Sequence, residues 1–211
     1  MIVRREATGD REAVFAVHSA AFDRGGREDG ESGQAPPEPT LVEDLRRAGD
    51  LIPQLSLVAT IDGEVVGHVA CSRAYIALDA SRGSGGGGGP RGGGRARREG
   101  GGSGARGGSR PSVGLGPLGV LPSHQGGGIG QALMHAVLAA ADALDAPEVV
   151  LLGSPSYYGR FGFRPAEELG VLPPDPSWGG HFQIRALTAW DGTIAGVFGY
   201  APAFRLVSAR A

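Results

Sequence analysis

The chain of 211 residues is long enough for one well-buried core, and its net charge of −2 with 41% hydrophobic residues is that of an ordinary globular protein. The single cysteine, Cys71, excludes an internal disulfide, argues against a cysteine-rich metal site and predicts a buried, inert thiol. All 20 basic residues are arginine, and without lysine neither a lysine Schiff base nor the usual lysine-bearing phosphate loop can form.

The first residues, Met1 to Glu6, turn charged at once, with no apolar run of signal-peptide length. No later segment approaches a membrane span, so a cytoplasmic location without a membrane partner is expected. Residues 2–6 predict a short strand. Thr8-Gly9-Asp10 offers a helix start, and Ala13, Val14, Val17, Ala20 and Ala21 place an apolar stripe at three- and four-residue spacing up to about Phe22. Residues 23–39 read as a polar loop. Thr40 and Glu43 then form a capping-box signature for a second helix to about Ala48. Residues 55–61 are apolar and β-branched, and Asp62-Gly63 is a hairpin turn into a strand over 64–70.

Residues 83–108 are mostly glycine and cannot build a core. Residues 82–110 hold seven arginines against Glu99, a net +6, while the remainder carries thirteen arginines against twenty-one acids, a net −8. An arginine-glycine arm could bind RNA. The absence of any aromatic residue to stack on bases favours a solvated insertion between two strands instead, and nucleic acid is not expected as a partner. After it, residues 113–121 predict a buried strand stopped by Pro122. Residues 128–144 predict a long helix with Ile129, Leu133, Val137, Ala141 and Leu144 on one face, and 148–152 a strand parallel to the preceding one. Residues 182–187 read as another strand, and 199–204 as a further apolar segment.

Glycine clusters compete for the chemistry. Gly114, Gly116 and Gly119 fit the G-x-G-x-x-G spacing of dinucleotide folds, but the pattern lies inside a strand, contains Pro117 and is followed by Pro122 rather than a helix. It is discarded. The cluster Gln125 to Gly130 lies where a strand ends and a long helix begins. There the first helical amides have no partner and the helix dipole is positive, so a pyrophosphate can approach the backbone without any side-chain charge. Alone, such a cluster makes nothing more than a tight connection.

Its neighbours add to that. The run from Gly116 to Gly130, with Gln125, two residues, Gly128, one residue and Gly130 after a strand, resembles the acetyl-coenzyme A signature of the GNAT N-acetyltransferases. Tyr157-Tyr158-Gly159-Arg160-Phe161-Gly162-Phe163 is similar to the same family's segment in which a tyrosine precedes a Gly-Phe pair by four residues. Two matches in order, separated by one helix and one strand, are hard to obtain by chance. The phrasing is similar to a bacterial group of predicted acetyltransferases of the YhbS type.

The resemblance implies an α/β (α+β) fold with a mixed, mostly antiparallel twisted sheet flanked by helices, binding acetyl-coenzyme A at splayed central strands. It implies one domain over 1–211, interrupted at 82–110. The implied reaction is direct transfer of acetyl from acetyl-coenzyme A to an amine in a ternary complex, with no metal and no covalent intermediate. The alternative is a non-catalytic coenzyme A sensor of the same fold. Leu118, Gly119, Val120, Gln125, Gly126, Gly127, Gly128 and Gly130 are the expected coenzyme contacts, with an amide near Val120 stabilising the oxyanion. Tyr158 is the expected general acid for the departing thiolate. No general base is assigned: His68, His124 and Glu28 are candidates, and the glycines at 114, 116 and 119 leave no carboxylate on the strand where many relatives carry one. Relatives commonly carry Arg or Lys at the position of Gly127. The acceptor, a small-molecule or peptide amine, is expected in a pocket built by the loop at 23–39, whose Glu28, Asp29 and Glu31 suit a cation, and by the C-terminal strands. A monomer or homodimer is expected.

Overall fold

The computed structural model describes residues 1–22, 38–78, 108–202 and 204. In chain order these form β1 (Ile2–Arg5), α1 (Arg11–Ala21), α2 (Glu38–Ala48), β2 (Leu57–Ile61), β3 (Glu64–Leu78), β4 (Ser109–Val120) and α3 (Ile129–Ala143). There follow β5 (Glu148–Leu152), the single turn α4 (Pro155–Tyr158), β6 (Arg164–Pro165), β7 (Val171–Leu172), β8 (Phe182–Ala186) and β9 (Gly196–Tyr200).

All the strands join one sheet in the order β1-β2-β3-β4-β5-β8-β6, with β9 pairing β3 and β7. The pairings are antiparallel except β4 with β5 and β7 with β9. The mixed, mostly antiparallel sheet and the parallel β4–β5 pair are as the sequence led one to expect. Asp62 and Gly63 both take positive φ, 51° and 88°, which suits the tight turn that pairs Ile61 with Glu64.

Helices cover both faces. Cross-strand partners share a face, so Gly67 and Val120 point one way while His68 and Gly119 point the other. A Cβ on Gly67 would touch Ile129 and Leu133 of α3, whereas one on Gly119 would touch His18 of α1. Helix α3 therefore packs on one face and α1, with α2 beside it, on the opposite one. α3 buries Ile129, Leu133, Met134, Val137, Leu138 and Ala141 at helical spacing. Leu144, expected on that stripe, lies past the helix end and is 48% exposed. Cys71 is fully buried in the α3-side core, and burial pushes its thiol up, which suits an inert residue.

Several boundaries differ from the sequence reading. β3 runs on to Leu78 rather than stopping at 70, because its second half pairs with β9 on the side that β2 occupies earlier. β4 begins at Ser109, so residues 109 and 110 belong to the sheet and not to the insertion. α2 begins at Glu38, which places Thr40 inside the first turn instead of at the cap. Residues 82–107 of the arginine-glycine segment, and Glu28, Asp29 and Glu31, lie outside the described residues.

Candidate active site

Two features of β4 open the sheet. Opposite Ala70 the strand carries one residue too many, at Gly116-Pro117, and its register against β3 slips there. On its other side β4 pairs with β5 only at Val113 and Gly114. From Leu115 onward the two parallel strands part. Leu121 donates its N–H to Val66 of β3, so by the alternation of an antiparallel ladder Gly119 also bonds toward β3. The backbone groups of Leu118 and Val120 then point into the gap. Gln125 already uses one of them: its side-chain amide donates to the Val120 carbonyl at 3.0 Å, tying the turn to the strand end.

The turn itself depends on glycine. Gly126 and Gly128 have φ of 79° and 82°, and Gly128 is the residue from which α3 starts. Ala132 makes the first helical bond, to the Gly128 carbonyl, so the amides of Ile129, Gly130 and Gln131 have no acceptor within the helix. Free amides together with the positive end of a helix dipole are an arrangement able to take an anion.

The third wall is α4. Pro155 stands in its first turn, and Gly153 before it leaves room for the Tyr158 ring, since a Cβ at 153 would fall 2.3 Å from Tyr158 Cε2. Tyr157 and Tyr158 meet edge to face with centroids 4.9 Å apart. Tyr157 brings its hydroxyl against Gly130 of α3, where a Cβ would lie 2.8 Å away. Arg160 lies over the Tyr157 ring at 5.2 Å. Burial, and secondarily the neighbouring Tyr157, pushes the Tyr158 phenol up to about 12, so it is a protonated donor at neutral pH.

Strand end, turn and α4 enclose an open cleft of about 470 Å³, lined by Leu118, Val120, Gln125, Gly126, Gly128, Gly130 and Tyr158 among others. Thus seven of the nine expected site residues meet in one place. Gly119 faces α1 on the other side of the sheet, and Gly127 is exposed outside the cleft wall. His124 lies at the cleft, its Nδ1 2.9 Å from Ser123 Oγ. His68 does not: it is buried on the α1 face.

The sequence reading missed Gln131, Tyr157 and Arg160, which also line the cleft. The signal for Arg160 was its spacing of three from Tyr157, which puts both on one side of a helical turn. It supplies a cation, and no acidic side chain lines the cleft among the described residues.

Comparison with known proteins follows the same lines. Residues 26–163 match the model of the acetyltransferase (GNAT) family. The chain is 30% identical over 200 residues to the uncharacterized N-acetyltransferase YhbS of Escherichia coli strain K12, spanning 94% of this chain and 93% of that one. It is 28% identical over 163 residues to YjhQ of the same strain, 75% of each chain. The fold matches the crystal structure of Escherichia coli YhbS in complex with coenzyme A with a TM-score of 0.70 and 25% identity, over 97% of this chain and 91% of that one. It matches a Brucella melitensis GNAT acetyltransferase in complex with acetyl-coenzyme A with a TM-score of 0.64 and 30% identity, over 96% and 97%. The chain belongs to the GNAT family of acetyltransferases.

Proposed function

We propose that the protein transfers acetyl from acetyl-coenzyme A to an amine by direct attack within a ternary complex. The observation that carries this reading is the convergence, in one cleft, of the open edge of β4, the unpartnered amides at the start of α3 and the Tyr158 phenol. The acetyl-coenzyme A held by the Brucella relative supports the choice of donor.

In this reading the pyrophosphate sits on the amides of Gly126, Gly128, Ile129 and Gly130, with Arg160 as its side-chain cation. Gln125 holds the turn against Val120. The pantetheine arm lies along β4 and bonds the backbone of Leu118 and Val120, with Gly119 between them. The Val120 amide polarises the thioester carbonyl. Holding thioester and amine together supplies effective molarity, and Tyr158 protonates the thiolate as the carbon–sulfur bond breaks. Gly127 is the weakest of the expected contacts because it stands outside the cleft wall.

Calorimetry with acetyl-coenzyme A, followed by a thiol-release screen of polyamines, amino acids, aminoacyl compounds and peptide N-termini, tests the reading. Binding together with thiol release by one class of amine is the expected result. No binding of acetyl-coenzyme A would sink it.

A further inference from the structure

A second cleft, of about 400 Å³, shares no lining residue with the first. It lies where the entry to α1, the end of α2, the approach to β2 and the middle of β3 meet. Three arginines face it, one from each of α1, α2 and β3: Arg11, Arg46 and Arg73. Among the described residues Glu6 is the one acidic side chain on its wall. Both Glu6 oxygens are already engaged, Oε1 accepting from Arg46 Nη2 at 2.5 Å and Oε2 from Ser56 Oγ at 2.5 Å. Arg46 also donates to Glu43, which does not line the cleft.

The other two arginines have no carboxylate. Arg4, Arg47, Arg110 and Arg164 each stand within 4.0 Å of an acidic oxygen. Arg11, by contrast, makes no hydrogen bond or ion pair with the described residues, and Arg73 donates only to the Gly49 carbonyl. That carbonyl is presented by the turn after α2, where Gly49 takes a φ of 77°, and the turn is fixed to β3 by the Arg73 N–H on the Asp50 carbonyl at 2.8 Å. A guanidinium has five N–H donors and no acceptor, so the wall carries a surplus of donors, while its single carboxylate has no oxygen unengaged. The Glu6–Arg46 pair cancels, and Arg11 with Arg73 leave +2 on the wall of a chain whose net charge is −2. Such a lining offers a cation nothing and suits an oxyanion, which guanidinium forks bind through two parallel hydrogen bonds.

We propose that this cleft is a second ligand site, for a small molecule that carries a phosphate monoester. Arg11 and Arg73 take the phosphate oxygens from α1 and from β3. Arg46, held in place by Glu6 and Glu43, offers its remaining N–H groups, and Thr8 adds a hydroxyl. A monoester carries about −1.5 to −2 at neutral pH, which matches the two unpaired guanidiniums, whereas a single carboxylate leaves one of them unmatched. Ala7, Leu51 and Pro53 give the wall an apolar side for the carbon skeleton. The volume falls within the range of ordinary small-ligand pockets, about 300 to 1,000 Å³. The site is independent of the acetyl transfer proposed for the first cleft, and a ligand there holds the starts of α1 and β2, the end of α2 and the middle of β3 together.

Proton–nitrogen NMR spectra of the arginine Nε–H groups in the full ¹⁵N-labelled chain, titrated with glycerol 3-phosphate at constant ionic strength, test the site. Arg11→Gln, Arg46→Gln and Arg73→Gln assign the signals. The Arg11 and Arg73 signals are expected to shift and saturate together with one Kd, below about 5 mM. Absence of saturable shifts at either arginine overturns the proposal. Sodium acetate at the same ionic strength should need about tenfold more to produce the same shifts, and equal affinity for acetate overturns the assignment to a phosphate. Inorganic phosphate should shift the same signals with a Kd a few times higher, and tighter binding than the ester would remove the role of the apolar side. Glycerol 3-phosphate can also meet the amides at the start of α3, so Arg160→Gln is titrated beside the wild type. The Arg11 and Arg73 shifts are expected unchanged there, and their loss would place the ester in the first cleft. Arg11→Gln removes a side chain without a partner among the described residues and should fold normally while weakening the Kd read at Arg73 about two- to fivefold. In Arg11→Gln/Arg73→Gln the Arg46 signal should need about tenfold more ester to shift, and an unchanged Kd at Arg46 would overturn the site.

Discussion

Tyr158 and Gly153 act as a pair. The Tyr158 hydroxyl makes no hydrogen bond with the described residues, and its ring fits only because residue 153 has no side chain. Tyr158→Phe should therefore leave the melting temperature nearly unchanged and acetyl-coenzyme A affinity within twofold. Its kcat should drop by roughly 10²-fold if the phenol is the acid. Retained kcat would assign Tyr158 to packing alone. Gly153→Ala pushes a methyl into the Tyr158 ring, and the ring must swing away from the cleft. Its kcat should fall toward that of Tyr158→Phe, and the double variant should be no worse than Tyr158→Phe, since both remove the same group. Additive losses in the double variant would show that the two residues act independently.

At the scale of elements, the start of α3 carries the proposed donor site, and its glycines are not equivalent. Gly128 needs its positive φ, whereas Gly127 has an ordinary one, and a Cβ there would meet nothing closer than the His124 carbonyl at 3.7 Å. Gly127→Arg should fold normally and place a guanidinium beside the phosphates. One exposed charge contact contributes about 0.5 to 1 kcal/mol, or roughly two- to fivefold in Kd by calorimetry. An unchanged or weaker Kd would place the phosphates elsewhere. Gly128→Ala, by contrast, should destabilise the fold by about 1 to 2 kcal/mol, read from urea unfolding, because alanine resists the left-handed region.

The α3 turn was the most legible element, since strand, glycines and helical apolar spacing are all local signals. The second half of β3 was not. Its residues from Arg73 to Ala77 alternate exposed and buried, but the partner that makes this a strand, β9, comes more than a hundred residues later. His18 fell between these cases. Its spacing of four from Val14 placed it on the buried face of α1, but nothing local says that His68, fifty residues on, would lie against it.

For the molecule as a whole, a buried row of polar groups on the α1 face couples stability to pH: His18 Nε2 is 2.7 Å from His68 Nδ1, and His68 Nε2 is 2.9 Å from Ser56 Oγ, which donates to Glu6. Burial, and secondarily the nearby His68, pushes His18 down to about 3 from an ordinary 6.5. Between these values the unfolded chain binds a proton that the folded chain refuses, so the unfolded state binds more protons and stability is lost as pH falls from about 6.5 toward 3. The Glu6 carboxyl, held below its usual range, has the same sign: its contribution is present above the unfolded carboxylate value and disappears as pH falls through the folded one. Each pH step of one across that window changes the stability by about 1.4 kcal/mol, so His18 alone contributes on the order of a few kcal/mol, a sizeable share of the stability of an average domain. Urea unfolding at successive pH values should show the wild type weakening steeply below pH 6.5, and His18→Gln following a shallower slope because glutamine does not titrate. Equal slopes for the two proteins would mean that His18 is not held neutral by the fold. If the slopes separate, the residue that makes the protein sensitive to acid is also the one whose ring lies against Gly119 of β4, so that the close approach of α1 to this strand is kept only while the imidazole stays uncharged.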